Sequence, residues 1–202
     1  MIGEKRLDNI EYCLNEINEK GIEGDIIECG VWRGGATIFI KGYMDAYEMN
    51  NRQLWLADSF EGVPKSTWKQ DKYSDLSKEK IPGLAVGLEE VKNNFKKYDL
   101  LDKNIRFLKG WFKDTLRKAP IDKLALLRLD GDLYESTMDA LEALYDKVSI
   151  GGFVIIDDYK ALPQCEEAVL DFRKKNNIIS PMITIDHEAI YWVKESSLEK
   201  RI

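Results

Sequence analysis

The chain is 202 residues long, 44% hydrophobic and 33% charged, with a formal net charge of −6. That length suits one domain over residues 1–202 with a full core. The acidic balance, with no basic tract dense enough to cover a phosphate backbone, excludes a general nucleic-acid binder. No apolar run has the length of a transmembrane helix and Met1–Arg6 holds no apolar signal core, so no membrane partner is expected.

Residues 4–20 read as a helix, because Leu7, Ile10, Leu14 and Ile17 recur at three- and four-residue steps. Its apolar face suggests a homo-oligomer. Gly21 and Gly24 end it. Asp25 to Cys29 is a first strand, turning at Gly30-Val31-Trp32-Arg33-Gly34-Gly35 into a helix over 36–47. Leu54 to Asp58 is a second strand. Residues 60–83 are irregular and polar, and a loop of that length is usually functional or mobile. A helix over 86–98 follows. Ile105 to Leu108 is a third strand and Leu124 to Leu129 a fourth. Glu135 to Tyr145 is helical, with Met138, Leu141, Leu144 and Tyr145 on one face. Phe153 to Ile156 is a fifth strand after a Gly151-Gly152 turn, and 166–174 is helical. Met182 to Ile185 and Ala189 to Val193, separated by Asp186-His187-Glu188, read as a hairpin on the sheet edge. The three cysteines, Cys13, Cys29 and Cys165, are odd in number and far apart. They form no metal or redox spacing, read as small buried hydrophobes, and point to a reduced cytoplasm.

Strands alternating with helices specify an α/β fold with a doubly wound, mostly parallel sheet. In such sheets ligands bind beyond the carboxyl ends of the strands. Asp130 ends the fourth strand and Asp157 and Asp158 end the fifth. Left unpaired, these carboxylates repel one another; a hard divalent cation such as Mg²⁺ or Ca²⁺ removes the repulsion. Ordinary helix capping is the plainer alternative for each.

The first strand ends in Glu28-Cys29-Gly30, followed by Gly34-Gly35. Glycines there allow a tight turn and close approach by a ligand. The spacing is not the dinucleotide G-x-G-x-x-G, and an acid before the first glycine favours a ligand with a cationic end, as S-adenosylmethionine has. Asp58, ending the second strand, suits the two ribose hydroxyls of an adenosine, or else caps a turn with Ser59. Gly110-Trp111-Phe112 follows the third strand, where an adenine finds apolar or aromatic surfaces.

The string Ile27 to Gly35 resembles the cofactor loop of the macrocin O-methyltransferase family. The resemblance continues through Ala57 to Pro64, Gly110 to Leu116, Leu127-Arg128-Leu129-Asp130-Gly131-Asp132-Leu133-Tyr134-Glu135-Ser136-Thr137, and Gly151 to Tyr159. It covers nearly the whole chain. It implies a Rossmann-like class I methyltransferase with a mostly parallel seven-stranded sheet and a C-terminal antiparallel hairpin. It also implies S-adenosylmethionine, Mg²⁺ and a hydroxyl acceptor, most closely a sugar or glycosylated natural product. By motif position, Asp130, Asp157 and Asp158 would ligate the metal and Asp132 would be the general base. Glu28, Gly30, Asp58, Ser59, Gly110, Trp111, Phe112 and Asp130 would face the cofactor. Family members commonly carry a further segment ahead of the helix at which this sequence begins, so the acceptor pocket is expected to be more open or completed by another subunit. Some relatives have a histidine in the loop after the second strand. Here 60–83 holds none, and the only histidine is His187 in the hairpin turn. Trp68 and Tyr73 are expected in the acceptor wall. A catechol-like phenol acceptor and a non-catalytic cofactor-binding scaffold are the rival readings.

Overall fold

The computed structural model describes residues 2–195. The helices are α1 (Glu4–Glu19), α2 (Gly35–Ala46), α3 (Leu88–Lys97), α4 (Phe112–Thr115), α5 (Tyr134–Leu144) and α6 (Pro163–Lys175). The strands are β1 (Asp25–Cys29), β2 (Leu54–Asp58), β3 (Ile105–Lys109), β4 (Leu124–Leu129), β5 (Val148–Ile156), β6 (Ile183–Thr184) and β7 (Ile190–Val193). They form one seven-stranded sheet in the order β3-β2-β1-β4-β5-β7-β6. The first five strands pair in parallel; β7 runs antiparallel to β5, and β6 to β7. Strand order reverses between β1 and β4, and that reversal opens a crevice at their carboxyl ends.

The period-2 alternation of the strands sends side chains to two cores. Ile27, Leu127, Val154 and Ile156 pack with Leu141 of α5 and Phe172 of α6. Ile26, Leu126, Phe153 and Ile155 pack on the opposite face with Ile10 and Leu14 of α1, Ile40 of α2 and Phe95 of α3. The apolar face of α1 is thus taken up within the chain, and it gives no support to a homo-oligomer. Cys13, Cys29 and Cys165 are free and buried, as expected of small hydrophobes. Among the described residues no helix is long and apolar enough to cross a membrane.

Several local expectations change, and α6 begins at Pro163, three residues ahead of the expected start. β5 begins at Val148, so Gly151 and Gly152 lie inside a strand instead of before it. They form a bulge: the β4–β5 register shifts between Leu124 and Leu126. A side chain at Gly152 would meet the carbonyl oxygens of Ser149 at 2.9 Å and Ala125 at 3.0 Å. α3 starts two residues late, after Gly87. Its first turn holds Glu89 and Glu90 and its last Lys96 and Lys97, which complement the helix dipole. The hairpin is shorter than its apolar runs, with β6 only two residues long and exposed. α4 is too short to leave a periodic trace.

Candidate active site

A cleft of about 870 Å³ lies beyond the carboxyl ends of the parallel strands. Its walls bring together the residues expected from the sequence to face the cofactor, the metal and the acceptor proton: Glu28, Gly30, Asp58, Ser59, Gly110, Trp111, Phe112, Asp130, Asp132, Asp157 and Asp158.

On the cofactor side, Gly30 has φ 90°. A Cβ there would fall 1.7 Å from the Asp130 carbonyl oxygen. The glycine is therefore required by the closure of β1 against β4, beyond any ligand. Gly35 has open space around its missing Cβ and faces the cleft. Asp58 is already engaged by the backbone. Its Oδ2 accepts from the backbone N–H of Val31 (2.7 Å) and Trp32 (3.2 Å), and its Oδ1 from Phe60 (2.7 Å). It thereby ties the loop after β1 to the end of β2. Burial nonetheless keeps its carboxyl above the usual range. Ser59 donates to the Gly62 carbonyl (2.7 Å) and shapes the same turn. Trp32, at φ 46°, donates from Nε1 to the Gly83 carbonyl (2.9 Å) and links the cofactor loop to the 60–83 segment.

The acid cluster contains two arginines that sequence reading left without a role. Arg128, the next-to-last residue of β4, is fully buried. Its guanidinium donates to Glu28, to Asp130 Oδ2 (2.9 Å) and to Asp157 Oδ1. Arg6, in the first turn of α1, donates to Asp157 Oδ2 (2.5 Å). It also donates to Asp186 Oδ2 (2.8 Å) and to Glu188. The usable signal was an arginine inside an otherwise apolar strand, two residues before an acid. Nothing local marked Arg6.

Carboxylates still outnumber guanidiniums. Asp130, Asp157 and Asp158 each offer an oxygen within 4.8 Å of the others. Burial first, and then the charges of Asp130, Asp132 and Asp157, push the Asp158 carboxyl up to about 9. Burial and its acidic neighbours push Asp132 to about 7. Burial, opposed by Arg128, pushes Glu28 to about 8. Asp158 Oδ2, Glu28 Oε2 and Arg128 Nε are buried without a hydrogen-bond partner. An unmade bond in a buried site is costly, and its persistence points to an absent partner. Three converging carboxylates with an orphaned oxygen fit a hard divalent cation. The orphaned oxygen of Glu28 fits the cationic end of a methyl donor.

Asp132 sits at φ 61°, and the Leu133 N–H closes onto the Gly131 carbonyl (2.6 Å) around it. A three-residue turn of this hand is strained for a non-glycine residue, and such strain gathers at functional positions. Gly131 supplies the room: a Cβ there would press on the Phe112 ring at 3.3 Å and Ser136 at 3.3 Å.

The 60–83 segment does wall the cleft, but through Glu61–Lys65 and Ser77–Glu79. Trp68 and Tyr73 are not part of that wall. Trp68 packs on Tyr134, ring centroids 5.3 Å apart, and Tyr73 is 87% exposed. The anchor of the segment is Asp71, which is buried. Its carboxylate accepts from the N–H groups of Tyr134 (2.7 Å) and Glu135 (3.1 Å) and from Ser66 Oγ (2.7 Å). It caps α5 from a distance of some sixty residues in sequence. His187 is exposed in the hairpin turn and does not line the cleft.

The family model for macrocin O-methyltransferases matches residues 1–194. The chain is 50% identical over 195 residues to demethyldecarbamoylnovobiocin O-methyltransferase of Streptomyces niveus, covering 95% of this chain and 74% of that protein. It is 49% identical, with the same coverage, to the 8-demethyl-8-(2,3-dimethoxy-alpha-L-rhamnosyl)-tetracenomycin-C 4'-O-methyltransferase of Streptomyces olivaceus. The solved structure of the O-methyltransferase NovP superposes with a TM-score of 0.94 at 49% identity, over 96% of this chain and 81% of that one. Fold, cleft and these matches agree: the chain belongs to the macrocin O-methyltransferase family and is an S-adenosylmethionine-dependent O-methyltransferase.

Proposed function

We propose that the chain methylates a hydroxyl of a sugar or glycosylated natural product, with Mg²⁺ as its metal. The observation that carries this reading is the convergence of Asp130, Asp157 and Asp158 within 4.8 Å, in the same cleft as Asp132. The rhamnosyl acceptor in the name of one relative supports the sugar. Asp130, Asp157 and Asp158 would hold the cation; Glu28, Gly30, Asp58, Ser59, Asp130 and Gly110–Phe112 would hold the methyl donor. When bound, these groups supply Lewis acidity toward an acceptor hydroxyl and an electrophilic methyl.

The chain's own part is positioning and proton transfer. A sugar hydroxyl does not ionise at neutral pH unaided. Asp132 is the carboxylate left free of the cation to accept the hydroxyl proton; burial holds its carboxyl above the usual range, and its strained turn keeps it in the cleft. The cleft walls, closed by the Asp71 anchor and the Trp32 link, hold donor and acceptor in line. The test is methyl transfer from S-adenosylmethionine to a panel of glycosides and catechols, with and without EDTA. Transfer to a glycoside that EDTA abolishes supports the reading. Transfer unaffected by EDTA removes the metal, and transfer only to catechols removes the sugar.

A further inference from the structure

We propose that Arg6 is a positioning residue that fixes the Asp157 carboxylate within the acid cluster and pins the β6–β7 turn beside the cleft. This rests on the metal reading above. Three observations carry it. Arg6 is 7% exposed and spends all three of its guanidinium nitrogens on carboxylates. Those carboxylates come from two separate segments, Asp157 after β5 and Asp186 and Glu188 in the turn, while Arg6 itself stands on α1. Arg128 takes the opposite oxygen of Asp157, so the carboxylate is gripped on both sides and cannot rotate.

Each carboxylate oxygen has two acceptor sites, so the grip leaves Asp157 able to face a cation. The turn side is equally ordered. Asp186 Oδ1 accepts from the N–H groups of Glu188 (2.9 Å) and Ala189 (2.8 Å), and Glu188 lines the cleft together with Arg6. A planar fork is what this geometry needs. A lysine ammonium in the same place is a single point of charge and cannot span Asp157, Asp186 and Glu188 with fixed directions.

The experiment is a Mn²⁺ titration of the full chain in the presence of S-adenosylhomocysteine, with free Mn²⁺ read by electron paramagnetic resonance, on wild type, Arg6→Lys, Arg6→Gln and Glu188→Gln. Mn²⁺ affinity is expected to fall about 10–100-fold in both Arg6 variants, the usual cost of losing a partner that orients a metal ligand. S-adenosylhomocysteine affinity is expected to stay unchanged. Glu188→Gln is expected to raise the acceptor KM with Mn²⁺ affinity intact. If Arg6→Lys binds Mn²⁺ as wild type does, only the charge matters and the assignment is overturned. Tighter Mn²⁺ binding by Arg6→Gln overturns it as well, since Arg6 would then oppose the cation. A wild type that binds no Mn²⁺ overturns the metal reading itself and this inference with it. Should both Arg6 variants lose their cooperative melt, Glu188→Gln decides: a raised KM supports the pinned turn and an unchanged KM overturns it.

Discussion

The two ends of the sheet handle buried charge in opposite ways. At the amino ends Lys194 and Asp25 are satisfied by neutral partners, and the buried Lys41 by the carboxylates of Asp45 and Asp102. Lys194 donates from Nζ to the carbonyls of Tyr145 (3.0 Å), Asp146 (3.1 Å) and Val148 (2.8 Å). Asp25 accepts from Gln53 N–H (2.9 Å) and Trp55 Nε1 (2.8 Å). At the carboxyl ends acids outnumber bases, and three of the seven orphaned buried side-chain atoms among the described residues belong to that one cluster. A fold optimised only for stability would finish both ends alike. The unfinished end is where a ligand completes the bonding, and stability is surrendered there to binding.

That contrast makes substitutions at the two ends separable. The largest effect is expected from Asp132→Asn, which should lower kcat by about 10²–10⁴-fold, the range for a lost general base. It removes an acid that burial makes costly to ionise, so the melting temperature should hold or rise. A variant with full turnover would remove Asp132 as the base. Next comes Arg128→Met. It strands Glu28, Asp130 and Asp157 without a countercharge, and breaking such a buried set costs about 3–5 kcal/mol in chemical denaturation. Lys194→Met at the other end should cost less, about 1–3 kcal/mol, and should leave methyl transfer unchanged at a temperature where the variant is folded. Equal costs, or lost activity in Lys194→Met, would break the comparison.

The remaining expected effect is one of pH. Glu28, Asp132 and Asp158 have folded-state carboxyls raised to about 8, 7 and 9. In the unfolded chain they titrate near about 4. Between these limits the folded state binds more protons, so stability is fullest below about pH 4 on their account and is lost as pH rises toward 9. Asp186 runs the other way: its bonds hold its carboxyl down to about 2, so its contribution is present above about pH 4 and lost below. Thermal melts of the metal-free protein should therefore decline across pH 6 to about 9, and saturating Mg²⁺ should flatten the decline. A melt that improves with alkali would show the acids to be better compensated than their geometry indicates.

The strand-end acids were legible because a buried parallel strand is an apolar run, and its end is marked by the first charge. Asp130, Asp157 and Asp158 needed nothing else. The glycine turn after β1 was legible for the same local reason. The arginines were not. Arg6 meets partners 151 to 182 residues away and Arg128 meets Glu28 100 residues away, and neither distance leaves a periodic trace. The Gly151-Gly152 pair misled for a different reason: paired glycines signal a turn and a bulge equally, and only the β4 register decides. The 60–83 loop lines the cleft as expected, but through small and charged residues and without Trp68 and Tyr73, because loop sequence carries no periodicity to say which side chains face inward.

The Asp71 clasp has a consequence for how acceptor range could be altered. One carboxylate, with Ser66 beside it, fastens the 60–83 segment to the first residues of α5. Buried Phe60, the Trp68–Tyr134 contact and the Trp32–Gly83 bond tie the rest of the segment to the fold at points outside the cleft lining. Its cleft-facing residues can therefore be exchanged as a cassette between relatives of different specificity, provided that the aspartate and its serine travel with the graft. A transplanted loop without them would arrive with the right lining and no fastening.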